Sequence, residues 1–125
     1  MFPNSTFDVQ PLPGYASAFV GIISGHHGVA RSGRLILFDP AKARKGAAGM
    51  LQEIPHRNRP IVEEVKDRLV DGVWPQFIKP SPLNDTYFLV AAKLDKNDLW
   101  GIYLVDKFDN VTCCIKWKGK DISVR

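Results

Sequence analysis

At 125 residues the chain has the mass of one ordinary domain and can bury a core. A hydrophobic fraction of 45% beside 24% charged residues excludes intrinsic disorder. The formal net charge of +4 suits weak attraction to anions and falls short of the dense basic stripe of a dedicated nucleic-acid binder.

In chain order, the first extended signal is Thr6-Phe7-Asp8-Val9-Gln10, broken by Pro11-Leu12-Pro13-Gly14. The β-branched run Phe19 to Ser24 follows, then a Gly-rich loop, then Arg34 to Phe38, which stops at Asp39-Pro40. Met50 to Ile54 reads as a closing strand. The apolar stretch Ala16 to Ile23 is too short to span a membrane. No Lys or Arg precedes Arg31, so a signal peptide has no positive region here. If the parent protein is exported, its signal is expected outside this chain.

The second half repeats the plan. Trp74 to Pro80 leads through Ser81-Pro82-Leu83-Asn84-Asp85 to Tyr87–Ala92, a polar turn, Trp100–Val105 stopping at Asp106, and Val111–Trp117. Four strands in up-and-down order, repeated, is the plan of a β-propeller blade. The sequence therefore predicts an all-β protein of antiparallel, propeller-like blades, about two of four strands each. The blade-like units cover residues 5–55 and 73–117, with an insert at 56–72.

The insert makes the spacing longer than the usual ~40–45 residues of a blade repeat. Pro60 as a first helical residue, with Ile61, Val65 and Leu69 at helical spacing, predicts a short helix near 60–70. An extended chain feeding Trp74 is the alternative. Two blades cannot close a ring of typically 4–8, so the unit is expected to be an incomplete portion of a larger domain. Residues 121–125 read as the start of a further strand.

The most unusual string is Ser24-Gly25-His26-His27-Gly28-Val29-Ala30-Arg31. His26 and His27 are the candidate metal ligands, since imidazole suits Zn, Cu and Fe, with His56 able to approach only through the fold. The competing reading is a glycine-permitted turn whose histidines hydrogen-bond locally. Arg31 is the candidate anion-binding residue. Arg31 and Arg34 flank the turn, and Lys42, Arg44 and Lys45, with His56, Arg57 and Arg59, make two further basic clusters; such clusters commonly form a solvated surface.

Cys113 and Cys114 are adjacent, where a bridge would be strained, and read as free thiols. Trp74, Trp100 and Trp117 read as packing residues, and Asp39, Asp106 and Asp109 as turn formers. No Ser-His-Asp or Cys-His arrangement can be placed by spacing.

Several longer strings carry a resemblance. Ser24 to Gly33, Leu35 to Pro40, Leu69 to Phe77, Pro80 to Val90 and Leu99 to Asp106 resemble the family related to the hydrazine synthase alpha subunit. The similarity extends from about Ala18 to Asp109. It implies a propeller-type middle domain in a large exported protein, hence a periplasmic or secreted location. In the hydrazine-forming enzyme that subunit carries c-type haems and a zinc ion and joins ammonium with a product of nitric oxide reduction.

This chain has no C-x-x-C-H haem attachment site, so haem and zinc are implied only for the parent family, and no cofactor is expected here. No catalytic residue carries over. The reading is a scaffold or binding portion, not catalytic by itself, whose partners are the remaining blades or domains of the parent. The alternative is an independent basic domain that binds an anionic ligand or nucleic acid.

Overall fold

Period-two apolar runs, broken by Gly, Pro, Asp and Asn, become strands because β-branched and aromatic side chains fit a pleated, half-buried surface. A computed structural model describes residues 5–25, 32–43, 47–61, 69–70, 72–118 and 121–124. Strands β1 (Ser5–Pro11), β2 (Phe19–Ser24), β3 (Arg34–Phe38) and β4 (Met50–Ile54) form one sheet in chain order. Strands β5 (Gln76–Pro82), β6 (Tyr87–Lys93), β7 (Gly101–Asp106), β8 (Val111–Lys118) and β9 (Asp121–Val124) form the second.

Every neighbouring pair is antiparallel, and the sheets are not closed into a barrel. The chain is all-β, as its patterning predicts. The second sheet has one strand more than four: the further strand read at 121–125 is β9, which turns back along β8. The free edge of β8 offers unpaired backbone groups, and a returning strand satisfies them. Of the helix expected near 60–70, residues 62–68 lie outside the described residues; Ile61, Leu69 and Val70 are placed as non-helical chain.

The two sheets repeat each other in detail. In β1, Asp8 and Val9 together oppose Gly21, because the register steps from Phe7↔Ile22 to Gln10↔Val20. In β5, Lys79 and Pro80 oppose Val90 in the same way, between Ile78↔Ala91 and Ser81↔Leu89. The first bulge residue is left-handed in both, with φ of 54° at Asp8 and 52° at Lys79. That conformation lets two residues face one and bends the strand. The bulges align Phe19 with Phe88, and the β2–β3 and β6–β7 ladders then align Leu35 with Ile102 and Ile36 with Tyr103.

This alignment shows how the sheets pack. The shared core takes Val20, Ile22, Leu35 and Leu37 from the first sheet and Phe88, Val90, Ala92, Tyr103 and Val105 from the second. Counted on the repeat, these are opposite faces. The equivalents of Leu35 and Leu37 are Ile102 and Leu104, which point away from the core, and the equivalents of Phe88 and Val105 are Phe19 and Phe38, which also point away. The sheets therefore stack head to tail. Each large side chain buried in the seam contributes about 1.5–3 kcal/mol, and Phe77, Phe88, Leu35 and Ile22 are all fully buried there.

A second, smaller cluster lies on the outward face of the first sheet. Leu69 and Val70 cover Ile23 and Ile36, with Ile61 beside them. The connection from β4 to β5 thus passes over the end of that face before it joins the second sheet.

Candidate functional site

The base of the Gly25–Arg31 loop is buried and polar, with Ser24 and Ser32 both shielded from solvent. The Ser24 hydroxyl donates to the Ser32 carbonyl at 2.9 Å, tying the two strand ends together. The Ser32 hydroxyl donates to Gln76 Oε1 at 2.6 Å, and Gln76 Nε2 donates to the Val70 carbonyl at 2.8 Å. Gly33 and Phe77 exchange both backbone hydrogen bonds, at 3.1 and 2.8 Å. Only glycine fits at position 33, because a Cβ there would stand 2.2 Å from the Ile23 carbonyl oxygen. This network fixes the loop base beside the start of β5. The loop itself, with His26, His27 and Arg31, lies outside the described residues.

Three of the remaining basic candidates, Arg34, Arg57 and Arg59, are brought to carboxylates. Arg34 holds Glu53 with two hydrogen bonds, Nε to Oε2 at 3.1 Å and Nη2 to Oε1 at 2.8 Å. Arg59 adds a third contact to Oε1 at 3.3 Å. Glu53 is buried, so this pairing neutralises a charge that would otherwise be costly there. Arg57 lies 4.0 Å from Asp109 and over the Phe108 ring at 5.5 Å. Between these pairs opens a cleft of about 360 Å³ lined by Gln52, Arg57, Asn58 and Arg59. Its two guanidinium groups already face carboxylates, which weakens it as an anion site. Lys42 is exposed, and Arg44 and Lys45 lie outside the described residues.

His56 sits at φ 105° just after β4. Its backbone amide donates to Asp109 Oδ1 at 2.9 Å, and the Arg57 amide approaches the same carboxylate at 3.2 Å. Asp109 thus joins the end of the first sheet to the β7–β8 turn of the second. Asp39 and Asp106 hold equivalent turns after β3 and β7. Asp39 Oδ1 accepts from Ser17 Oγ and from the Ala41 amide. Asp106 Oδ1 accepts from the Phe108 and Asn110 amides, and Oδ2 from the Asn110 side chain at 2.9 Å.

Burial pushes the Asp106 carboxyl up, but the Asn110 and Phe108 hydrogen bonds outweigh it and hold the group below its ordinary value. Burial, with Cys113 beside it, pushes the Tyr103 phenol up. The hydrogen bond from Lys116 lowers Asp98 despite partial burial. These shifts keep each group in its resting charge state near neutral pH, which suits structural roles. Both cysteines are free and half-buried, with Cys113 against the core.

Trp74 and Trp100 are half-buried on the outward side of the second sheet. Lys93 lies 5.3 Å above the Trp74 ring, and Trp100 lines a shallow apolar recess with Ile102 and Ile115. The Trp117 side chain lies outside the described residues. Sequence reading missed the Arg34–Glu53–Arg59 group and the Ser32–Gln76 link. Neither has a spacing signature, since their partners meet only across strands. Among the described residues no three His, Cys, Asp or Glu side chains gather in a way that could hold a metal ion. None of their helices is long and apolar enough to cross a membrane.

The chain matches no family model, no curated protein and no solved structure.

Proposed function

We propose that the chain supplies two blades of a propeller-type domain in an exported protein related to the hydrazine synthase alpha subunit, where it acts as a scaffold or binding portion and not as the catalyst. The observation that supports this is the head-to-tail stacking of two sheets with one register and one bulge. A propeller is built by radial repetition of such sheets, each presenting opposite faces to its two neighbours. A two-layer sandwich with two-fold symmetry would pack equivalent faces instead. The absence of a C-x-x-C-H string and the structural use of Asp39, Asp106 and Asp109 favour scaffolding over chemistry. Binding would fall to the loop that carries His26, His27 and Arg31, since propeller ligands meet loops and not strand interiors.

Cell fractionation together with a structure of the native protein tests this. The expected result is an exported protein in which further sheets stand against both open faces around a common axis. A cytoplasmic protein, or one whose two sheets face solvent on both outer sides, would overturn it.

A further inference from the structure

Head-to-tail stacking leaves each sheet one face turned away from the shared core. The outward face of the first sheet, around Thr6, Phe19, Gly21 and Phe38, is the repeat equivalent of the face by which the second sheet grips the first. The outward face of the second sheet, around Leu89, Ala91, Ile102 and Leu104, is the equivalent of the face by which the first grips the second. Except where the Leu69–Val70 segment covers Ile23 and Ile36, the described residues therefore carry both halves of the internal junction, one at each end.

Both ends carry an apolar recess, bounded on the second sheet by Ala91, Trp100, Ile102 and Ile115. On the first sheet, Val9, Phe19 and Phe38 border an apolar recess of about 320 Å³, and the Phe19 and Phe38 rings stack at 5.8 Å. Gly21 lies beneath these side chains, where a Cβ would press on Val9, Thr6 and Phe38 at 3.2–3.3 Å. On the second sheet, Ile102 and Ile115 stand 39% and 38% exposed, opposite each other across β7 and β8. The Leu69–Val70 segment covers Ile23 and Ile36, and Phe38 packs against that cluster.

We propose that a second copy of this chain docks head to tail, the Ile102–Ile115 face of one copy packing against the Val9–Phe19–Phe38 face of the next. The contact is heterologous, so it closes into a ring when the rotation per copy permits. With two sheets per copy, a ring of typically 4–8 blades corresponds to roughly two to four copies. This rests on the propeller reading above, but the two can fail separately. A native structure in which other blades of the same polypeptide fill both faces would keep that reading and overturn this one.

The test is native mass spectrometry and sedimentation of the purified chain and two variants, Val9→Arg and Ile102→Glu. Val9 is 41% exposed, so both changes sit on the surface; circular dichroism checks that each variant folds, and Ile115→Glu replaces Ile102→Glu if needed. The wild type is expected as a closed oligomer of roughly two to four copies, and each variant alone as a monomer. Each variant keeps one intact half, so an equal mixture is expected to give a 1:1 dimer that grows no further. A monomeric wild type, an oligomer unaffected by both variants, or a mixture of folded variants that stays monomeric would overturn the proposal. The last result would point to an isologous contact elsewhere.

Discussion

The Asp8 carboxylate accepts a hydrogen bond from the backbone amide of Lys79 at 3.3 Å, and these two residues are the same position of the same bulge in successive sheets. Each takes a left-handed conformation that ordinary side chains disfavour by about 1–2 kcal/mol. Asp and Asn tolerate it better, because their short polar groups bond locally. Asp8→Ala is therefore expected to cost about 1–2 kcal/mol, from strain and a lost exposed hydrogen bond. Asp8→Asn keeps both the tolerance and an acceptor, and its expected cost is below about 0.5 kcal/mol. Urea unfolding of both variants measures this, and equal losses would contradict it.

Leu35 and Ile102 are repeat equivalents with opposite fates, 0% against 39% exposed. Leu35→Ala opens a cavity in the shared seam and is expected to cost about 2–5 kcal/mol. Ile102→Ala, compared in the monomeric state at low concentration, is expected to cost less than about 1 kcal/mol. Paired denaturant titrations decide the matter. Similar losses at both positions would mean that the sheets do not stack head to tail.

Glu53 is buried and answers Arg34 and Arg59 at once. Glu53→Gln removes the charge that balances a largely buried guanidinium, at an expected cost of about 2–3 kcal/mol. Arg59 is half exposed, so Arg59→Ala is expected to stay within about 1 kcal/mol. Thermal melts of the two variants should separate by several degrees, with the Glu53 variant the lower.

Asp106 gives the fold an acid dependence. Its carboxyl in the folded state lies below the ordinary 3.8 because of the Asn110 and Phe108 hydrogen bonds. A depressed carboxyl contributes stability that is present in full above the unfolded value and fades as pH falls through the lower folded value. Stability should therefore drop between about pH 5 and pH 2. In Asp106→Asn that drop should shrink, even though the variant starts less stable at pH 7. A pH series of denaturant midpoints measures it; parallel curves for the two proteins would assign the acid loss to other carboxylates.

What the sequence determined by itself was the local order. Runs such as Phe19–Ser24 and Tyr87–Lys93 have the β-branched, period-two character that only a strand uses well, and Asp39 and Asp106 stop their strands with side chains that cap the turn. Even the duplication was legible, because both halves repeat strand, turn, strand and Asp at similar spacing. None of this needs a distant partner.

What only the tertiary structure decided was which face goes inward. Ile102 and Leu35 are equally apolar in the sequence, yet one meets water and the other the seam, because burial depends on which side the neighbouring sheet occupies. The same holds for charge. Arg34, Arg57 and Arg59 read alike as basic surface residues, and only folding brings Glu53 and Asp109 against them. Asp8 and Lys79, 71 residues apart, meet because two sheets of one register stack in sequence. Such contacts are set by long-range geometry, and a local pattern has no means to encode them.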